Sequence, residues 1–305
     1  MYDIIVVGSG PTGLSAAIHS ANFGLRTLVL EAGEKAGGIA TRAHGISNYP
    51  GFQRKTSGLR LMERMTLQAE RKSAEIHTSE EVISLSLNGI DKVVETGKGK
   101  YQCKALILAT GDGMKGLGMK WETWIGGGVA YCEECGAPYF KGKEVVVVGN
   151  VSNAVDEALR LTKIAKSVML VNHANMIRIN GEKRKQLQAE HVTLIEDFVG
   201  KEIKGKPPSK KLVLHHVSNS ATKTLKTDMI LVIGGVKPFV SVLRKAGIKT
   251  HRQGCILVDK FGRTNVKGVF AAGGCASTVK DIIPACVGDG AIVATCARLY
   301  LAYRH

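Results

Sequence analysis

DIIVVGSGPTGLSAAIHSANFG, residues 3–24, is the stretch that decides the fold. Residues 3–7 have the apolar character of a buried strand, and a helix-like run closes at Gly24. The turn between them has the spacing GxGxxG, with its glycines at Gly8, Gly10 and Gly13. A second strand, RTLVLE, ends on Glu31, about twenty residues after the glycines. A glycine turn between a strand and a helix, followed by an acid at the end of the next strand, indicates a dinucleotide-binding fold.

Each part of this turn has a physical role toward a bound dinucleotide. The first glycine permits the tight turn, the second lets the backbone approach a pyrophosphate, and the third lets the helix pack against the strand. The helix N-terminus stabilises the phosphate charge, and Glu31 accepts hydrogen bonds from ribose hydroxyls. The neighbouring residues that we also expect at the nucleotide are Pro11, Thr12 and Ala32.

The composition limits the class of protein. With 305 residues, 44% of them apolar, the chain can form two domains that each bury a core. No apolar run approaches ~20 residues, which predicts no membrane span. The N-terminus lacks the features of a signal peptide, so we expect a cytoplasmic protein. The net charge of +16 would attract acidic partners or belong to a solvated basic surface, and no nucleic-acid-binding motif is present.

The sequence YCEEC, residues 131–135, contains two cysteines three positions apart. They could bind a metal, shuttle electrons as a dithiol, or fill space. Structural zinc usually needs four ligands, and the chain has a single CxxC, so we predict no metal site. The histidines elsewhere lack the spacing of ligand pairs: His173, His191, His215 and His216. The other cysteines lie in apolar segments and are expected to be small buried side chains: Cys103, Cys255, Cys275, Cys286 and Cys296.

Four further segments have a recognisable pattern. They are EKAGGIATRAHGISNYPGF (34–52), ALILATG (105–111), NVKGVFAAGG (265–274) and PACVGDGAIVATCARLYLA (284–302). These segments resemble those of the low-molecular-weight thioredoxin reductases, and YCEEC falls where that family carries its redox CxxC. The order of motifs matches over nearly the whole chain. On these motifs the chain is identified as a member of that family.

The resemblance implies an α/β fold with two Rossmann-like three-layer dinucleotide-binding domains, the second inserted into the first. Residues 1–112 and 239–305 would form an FAD-binding domain, and residues 113–238 an NADPH-type domain that carries the redox CxxC. Further FAD contacts are implied at Gly38, Ile39, Asn48, Thr110, Gly111, Gly273, Gly274, Ile282 and Ile283. A homodimer and a thioredoxin-like protein substrate are expected on the same ground.

A redox pair beside FAD explains the CxxC better than zinc or packing does. Its disulfide would take two electrons from reduced flavin and pass them on by thiol–disulfide exchange. The resemblance puts Cys135 nearer the flavin and gives Cys132 the attack on the partner's disulfide. Many family members have Asp directly after the second cysteine, where this chain has Gly136. We hypothesise that Glu133 or Glu134 replaces it as general acid, with water as the alternative.

The second nucleotide-binding turn departs from the family pattern. The segment KEVVVVGNVSNAVDEALRL (143–161) predicts a strand and a helix, but Val151 stands where glycine lies against the pyrophosphate. The family's His-Arg-Arg patch for a 2′-phosphate corresponds to Asn-His-Ala at residues 172–174, which leaves only Arg178 of the basic set. We therefore predict that NADPH is not the electron donor. The alternative is an NAD(P)H-dependent thioredoxin reductase whose altered turn still binds NADH weakly.

A different donor is ferredoxin, a small acidic protein that suits a basic surface. The resemblance includes relatives that lack a pyridine-nucleotide site and take electrons from ferredoxin. Residues 201–226 contain seven lysines and one glutamate, and they predict a strand pair around a Pro-Pro-Ser turn. That hairpin could dock a partner, or it could be a solvated edge whose lysines discourage aggregation.

The flavin site also departs from the family pattern. The family's Asp after AAG is replaced by Gly274, and its Arg-Gln before the last helix is replaced by Asp281-Ile282. Missing hydrogen bonds near the ring should weaken FAD binding or shift its potential. The glycine cradle, Glu31 and Asn48 remain, so we expect FAD to bind. Two further interpretations stay open: a dithiol oxidase that passes electrons to oxygen, and a degenerate flavoprotein with a binding or regulatory role.

Overall fold

The computed structural model describes residues 1–43, 45–111, 129–130, 140–149, 152–206, 209–233, 239–251, 254–276 and 282–304. The chain forms two compact units, Met1–Gly113 together with Lys237–His305, and Met114–Val236. By chain order the second unit is an insertion in the first. Each unit has a parallel sheet with helices, which confirms the predicted α/β class.

The secondary-structure elements follow one another along both units. The strands are β1 (Tyr2–Val7), β2 (Thr27–Leu30), β3 (Glu75–His77), β4 (Val82–Ser86), β5 (Lys92–Thr96), β6 (Lys100–Leu108), β7 (Val129–Ala130), β8 (Glu144–Gly149), β9 (Ser167–Asn172), β10 (Thr193–Ile195), β11 (Phe198–Lys206), β12 (Ser209–His216), β13 (Thr222–Thr227), β14 (Met229–Ile233) and β15 (Val269–Ala271). The helices are α1 (Pro11–Asn22), α2 (Gly58–Arg71), α3 (Asn153–Leu161), α4 (Gly181–Ala189), α5 (Phe239–Lys245) and α6 (Ile283–Ala302). Short 3-10 turns occupy Gly38–Arg42, His173–Asn175 and Gly273–Cys275.

The sheet of the first unit has the strand order β3-β2-β1-β6-β5-β4, and β15 also pairs with β6. The strands β3, β2, β1, β6 and β15 run parallel, whereas β4, β5 and β6 are antiparallel. Along β1, Ile5 and Val7 belong to one apolar cluster, and Ile4 and Val6 belong to another. Because successive strand residues point to opposite faces, the two clusters lie on the two sides of the sheet. This gives the three-layer arrangement expected for the unit.

The helix α1 begins directly after the GxGxxG turn, as the sequence predicts. Pro11 stands in its first turn, where a helix has no use for the missing amide proton. The helix ends at Asn22, and Gly24 then adopts a φ of 76°, the left-handed conformation common just beyond helix C-termini. The turn and α1 therefore form one continuous strand–turn–helix unit.

The helix α6 corrects one expectation from the sequence. It has 20 residues and is long and apolar enough to cross a membrane by length and composition alone, although no such run was expected. Helices in the core of soluble proteins can have the same length and apolar content. One side of α6 packs on α1, where Ser15 Oγ donates to the carbonyl of Val287 at 2.7 Å. Asp289 and Arg298 interrupt the run of apolar residues in the sequence, but the helix as a whole remains apolar.

The second unit contains two sheets. A parallel sheet has the order β10-β9-β8-β14-β7, and a separate antiparallel sheet has the order β11-β12-β13. The sequence predicted only a strand pair in this region, so the third strand, β13, is a correction. Its six residues, TKTLKT, bury only Leu225 and Thr227, so the apolar alternation that marks a strand is weak.

A buried polar cluster lies where β12, β13 and β14 approach β8. Lys210 is 1% exposed, and its Nζ donates to the carbonyl of Asp228 at 2.7 Å. Thr227 Oγ1 donates to the carbonyl of Glu144 at 2.8 Å, and the Glu144 amide donates to Asp228 Oδ2 at 3.0 Å. Loss of hydration lowers the pKa of Lys210. These bonds fix the register of the small sheet against the parallel sheet of the same unit.

Candidate functional site

The glycine-rich turn of the first unit lies at the carboxyl end of its parallel strands. A Cβ on Gly8 would collide with the carbonyl oxygen of Ala109, and a Cβ on Gly13 would collide with the carbonyl oxygen of Gly8. A Cβ on Gly10 would meet nothing within 4 Å. Packing therefore requires Gly8 and Gly13, whereas Gly10 faces open space where a pyrophosphate can approach the backbone.

The carboxylate of Glu31 is held in place by Ser9, which lies between the first two glycines. Glu31 Oε2 accepts from the Ser9 amide at 2.8 Å and from Ser9 Oγ at 2.6 Å, and Oε1 accepts from the Gly33 amide at 2.8 Å. Ser9 is fully buried, and its Oγ also accepts from the Gly37 amide at 3.2 Å. Glu31 is only partly buried and keeps accepting capacity for ribose hydroxyls.

Three distant segments meet this turn. Gly38 has a φ of 57°, and a Cβ there would lie 3.1 Å from the Cα of Gly10. A Cβ on Gly273 would collide with Thr12 Oγ1, and Thr110 follows the Ala109 carbonyl that covers Gly8. The structure thus brings together the predicted residues of the first turn, the 34–52 segment, the end of β6 and the end of β15.

The remaining predicted residues of the first unit differ in their surroundings. Ile283 packs in an apolar cluster with Leu14 and Ile46. Gly111 adopts a φ of 66°, and Gly274 lies within the 3-10 turn that follows β15. The described predicted residues with exposed positions are Ala32, Gly38, Ile39, Asn48 and Ile282. Among the described residues, no hydrogen bond ties the Asn48 side chain to the turn.

The second unit has a different residue at the position that corresponds to Glu31. The strand β9, which follows β8 and helix α3, ends at Asn172, which is 1% exposed. The side chain Oδ1 accepts from the Ile177 amide at 2.9 Å, and Nδ2 donates to the Ile177 carbonyl at 3.0 Å and to Glu196 Oε1 at 3.4 Å. Both amide protons of Asn172 are therefore used inside the protein.

Acidic side chains surround this position in the second unit. Glu196 forms a bidentate pair with Arg184, with both N–O distances at 2.8 Å, and this guanidinium outweighs burial in lowering the pKa of Glu196. Asn175 Nδ2 donates to Asp197 Oδ1 at 2.5 Å, and the Asp197 amide donates to Asn175 Oδ1 at 2.7 Å. Arg178 is exposed. Hydrogen bonds thus tie Asn172 and Asn175 to Glu196 and Asp197, which follow β10, and none of these four residues carries a positive charge.

His173 follows Asn172 and points inward. It is 8% exposed, and its Nδ1 accepts from the Gly200 amide at 3.4 Å. Burial, with a smaller contribution from the charge of Lys201, lowers the pKa of His173 and favours the neutral imidazole. A neutral, buried ring cannot neutralise a phosphate.

The profile of the family described as pyridine nucleotide-disulphide oxidoreductase matches residues 2–290. The chain belongs to this family. It is 36% identical to the thioredoxin reductase of Peptoclostridium acidaminophilum, over 99% of this chain and 97% of that protein. It is 33% identical to a Clostridium pasteurianum protein described as a 34.2 kDa protein in rubredoxin operon, over 98% and 97% of the two chains. The solved thioredoxin reductase of Streptococcus pyogenes MGAS5005 has a TM-score of 0.84 at 30% identity, with 99% of both chains covered.

As a member of this oxidoreductase family, the chain is a thioredoxin-reductase-like, FAD-dependent disulfide oxidoreductase. The first unit fits the cofactor, because the open face of Gly10 would accept the pyrophosphate and Glu31 would accept the adenosine ribose hydroxyls. The sequence has Gly274 where the resemblance led us to expect an Asp, and Cys275 does not take over the role of that Asp. That thiol is buried and donates to the carbonyls of Leu108 and Ala272, each at 3.2 Å.

Several predicted residues lie outside the described residues. They are Cys132, Glu133, Glu134, Cys135, Val151 and Asp281. Their roles in this oxidoreductase stay predictions. Among the residues that the structure describes, no group of three or more His, Cys, Asp or Glu side chains could hold a metal ion.

The remaining cysteines only partly match the expectation of buried side chains. Cys103 and Cys275 are buried, and burial raises the pKa of the Cys103 thiol to about 12. Cys255, Cys286 and Cys296 are partly exposed, which corrects the prediction. Cys286 and Cys296 lie on α6, where packing on α1 covers only one side of the helix.

Ser9 is the functional residue that sequence reasoning missed. It occupies a variable position of GxGxxG, so the motif itself assigns it no role. The available signal was its neighbourhood: a small hydroxyl residue beside the first glycine can reach the acid at the end of the adjacent strand, since β1 and β2 are parallel neighbours.

Proposed function

We propose that this oxidoreductase takes its electrons from a small acidic protein such as ferredoxin, and not from NADPH. Cys132 and Cys135 form its redox pair, and a thioredoxin-like protein is its disulfide substrate. Residues 1–112 and 239–305 serve as the FAD-binding domain, and residues 113–238 carry the redox pair.

The observation that carries this proposal is the contrast between the two units at one position. In the first unit, the described donors to the Glu31 carboxylate are Ser9 and the Gly33 amide, and Glu31 remains partly exposed. In the second unit, Asn172 is buried, and its side-chain amide donates to the Ile177 carbonyl and to the Glu196 carboxylate. A ribose at this second position would have to displace bonds that the fold already uses, which costs free energy.

Charge argues against NADPH in particular. A 2′-phosphate needs guanidinium or ammonium groups, and Arg is favoured because its planar fork matches phosphate oxygens. Here Arg184 is engaged by Glu196, and Asp197 lies next in the chain. The residues bonded across the end of β9 therefore contribute two carboxylates, Glu196 and Asp197, and Arg184 already pairs with Glu196.

The charge of the chain favours an acidic donor. The net charge is +16, from 42 basic and 26 acidic residues. A positive surface raises the encounter rate with negatively charged proteins, and salt weakens this effect. A relative named for its place in a rubredoxin operon is consistent with this choice.

The chain supplies the disulfide chemistry through its cysteine pair. When bound, FAD supplies a two-electron couple that can exchange electrons with a disulfide. Cys132, as the thiolate, attacks the disulfide of the partner, and Cys135 resolves the mixed disulfide. Glu133 or Glu134 holds the proton that the leaving thiol needs.

We also propose that the protein acts as a homodimer. Large apolar side chains remain exposed in the single chain on α6, at Ile292 (49%) and Leu299 (51%), and directly after it, at Tyr303 (81%). Exposed apolar residues grouped on one helix are typical of protein–protein interfaces. Sedimentation equilibrium at micromolar concentration tests this point.

Reduction of an oxidised thioredoxin by reduced ferredoxin, under anaerobic conditions, tests the proposed function. The wild type should turn over, whereas C132S and C135S should each lose turnover while they retain bound FAD. C296S is the control, because Cys296 lies outside the CxxC and should turn over normally. Full turnover by C132S or C135S would overturn the assignment of the redox pair.

A further inference from the structure

The exposed face of the sheet β11-β12-β13 carries three lysines side by side. Lys204 pairs with Lys211 across β11 and β12, and Lys211 pairs with Lys226 across β12 and β13. We call Lys204, Lys211 and Lys226 the lysine row. All three are exposed, whereas Leu212 and Leu225, which pair on the other face, are buried. The alternation along β12 therefore directs the whole row outward.

Like charges directly opposite each other in a sheet destabilise it. Lys204 has a counter-ion, since its Nζ lies 3.1 Å from Glu202 Oε2. Among the described residues, no ion pair involves Lys211 or Lys226. Lysine is also depleted in strands in general. The row is thus unfavourable for the sheet itself, and folding does not explain it.

Protection of sheet edges does not explain the row either. Lysines on edge strands prevent pairing with another chain, and this would account for Lys204 on β11 and Lys226 on β13. Lys211, however, is on β12, the central strand of this sheet. Its backbone is already paired on both sides, so it has no edge to protect.

We propose that the lysine row is the docking surface for an acidic protein. The next rows on this face, toward the β12 C-terminus, are Val213 beside Thr224 and His215 beside Thr222. A compact cluster of carboxylates, bordered by small polar and apolar groups, complements such a surface. The row crosses three strands at about 4.8 Å spacing, so it is about 10 Å long.

This length and composition favour a protein over a nucleic acid. A nucleic-acid strand presents phosphates along its whole length and is usually bound by a longer positive track with aromatic platforms. The described outward side chains of β12 and β13 include no aromatic ring other than the imidazole of His215.

The test uses full-length holoenzyme and takes its main probe, oxidised ferredoxin, from the proposed function. Binding is measured by isothermal titration calorimetry at two salt concentrations, with an acidic thioredoxin as second probe and a short duplex DNA as third. The variant is K211Q/K226Q. The control is K163Q/K185Q, which removes the same charge from exposed lysines of the same unit outside the sheet.

We expect K211Q/K226Q to weaken binding of at least one acidic protein about tenfold at low salt, and the control to change it less than about threefold. K211Q/K226Q should also unfold at the same or a higher temperature than the wild type, because the like-charge contact is gone. This second readout distinguishes a lost docking surface from a damaged fold.

Several outcomes would overturn the docking surface. They are equal loss of binding in both double variants, no binding of either acidic protein to the wild type, or tighter binding of DNA that depends on Lys211 and Lys226. If ferredoxin binds through the row but does not reduce the enzyme, the docking surface stands and the proposed electron donor fails.

Discussion

Glu80 is a nearly buried carboxylate beside the end of β3 in the first unit, with 3% of its surface exposed. Its Oε1 accepts from Tyr101 Oη at 2.6 Å and from Thr96 Oγ1 at 2.8 Å, and Oε2 lies 3.3 Å from His77 Nδ1. Burial opposes ionisation, but these hydrogen bonds outweigh it and lower the pKa of Glu80 below its ordinary value of 4.5. The hydrogen bond from Tyr101 Oη to Glu80 also raises the pKa of Tyr101 to about 12.

The lowered pKa makes a prediction for pH dependence. An acid with a depressed pKa in the folded state contributes stability above its unfolded pKa, near 4.5, and this stability is lost as pH falls through the folded value. The wild type should therefore lose stability below about pH 4.5 more steeply than E80Q, and E80Q should be less stable by about 2 kcal/mol at pH 7. Thermal unfolding from pH 3.5 to pH 7 measures both effects.

E81Q, at an exposed neighbouring position, is the control and should behave as the wild type. Identical pH profiles for E80Q and the wild type would contradict the account.

Ser9 gives a second prediction at the scale of one residue. S9A removes the 2.6 Å hydrogen bond to Glu31 and leaves the carboxylate less firmly oriented. We expect FAD to bind about fivefold to tenfold more weakly, which corresponds to about 1 kcal/mol. Fluorescence titration of the apoprotein with FAD measures this. S57A is the control: it removes the hydroxyl that caps α2, so it should lower stability without a change in FAD affinity. Unchanged FAD affinity in S9A would contradict the role of Ser9.

The acids between the paired cysteines give a third prediction. If Glu133 or Glu134 protonates the leaving thiol, E133Q/E134Q should lower kcat for disulfide reduction by about a hundredfold and remove the fall of kcat at high pH that deprotonation of the general acid causes. E182Q/E190Q removes two exposed glutamates elsewhere and should leave kcat unchanged. Wild-type turnover in E133Q/E134Q would mean that water supplies the proton.

At the scale of elements, the contact between α1 and α6 depends on one glycine. A Cβ on Gly290 would collide with the carbonyl oxygen of Thr12 and lie 2.8 Å from the Cβ of Ser15. A Cβ on Gly288, in the same helix, would meet nothing within 4 Å. Gly288 and Gly290 form a matched pair for substitution, because both lie in α6 and differ in the space around an added Cβ.

We expect G290A to lower the free energy of unfolding by about 2 kcal/mol, since backbone must move to admit the methyl group. G288A should raise it by about 0.5–1 kcal/mol, as alanine is the better helix former. Chemical denaturation of the two variants measures the difference. Equal stability of G288A and G290A would mean that the helices do not pack as described.

Most elements of the first unit could be predicted because local signals agree there. Residues 3–24 contain a buried strand, a glycine turn and a helix with Pro at its start, and each signal points to the same structure. The strand β13 could not be found in this way, because four of its six residues are exposed and its pairing with β12 supplies the order. The membrane-length character of α6 was missed since the apolar sequence is interrupted by Asp289 and Arg298.

The candidate site was predictable where a motif fixes it and not where distant residues meet. Gly8, Gly10 and Gly13 follow from spacing alone. The inward position of Asn172 depends on Ile177 and on Glu196, which lies 24 residues away, and no sequence pattern joins these residues. The sequence shows that residues 172–174 are Asn-His-Ala, but it does not show the hydrogen bonds that the Asn172 side chain makes.

At the scale of the whole molecule, the described residues of the two units differ at corresponding positions of one kind of nucleotide fold. The first unit has an open glycine, an oriented acid and a covering 3-10 turn. The second has the sheet and the helix, but its strand end is tied to acidic neighbours. This contrast supports the proposal that the electrons of the reaction enter by a route other than a pyridine nucleotide.

Anaerobic rapid mixing of the oxidised holoenzyme with NADPH, NADH or reduced ferredoxin, followed by flavin absorbance, tests this claim most directly. We predict that the flavin absorbance persists with either pyridine nucleotide and is lost with reduced ferredoxin. Rapid bleaching by NADPH would contradict the account.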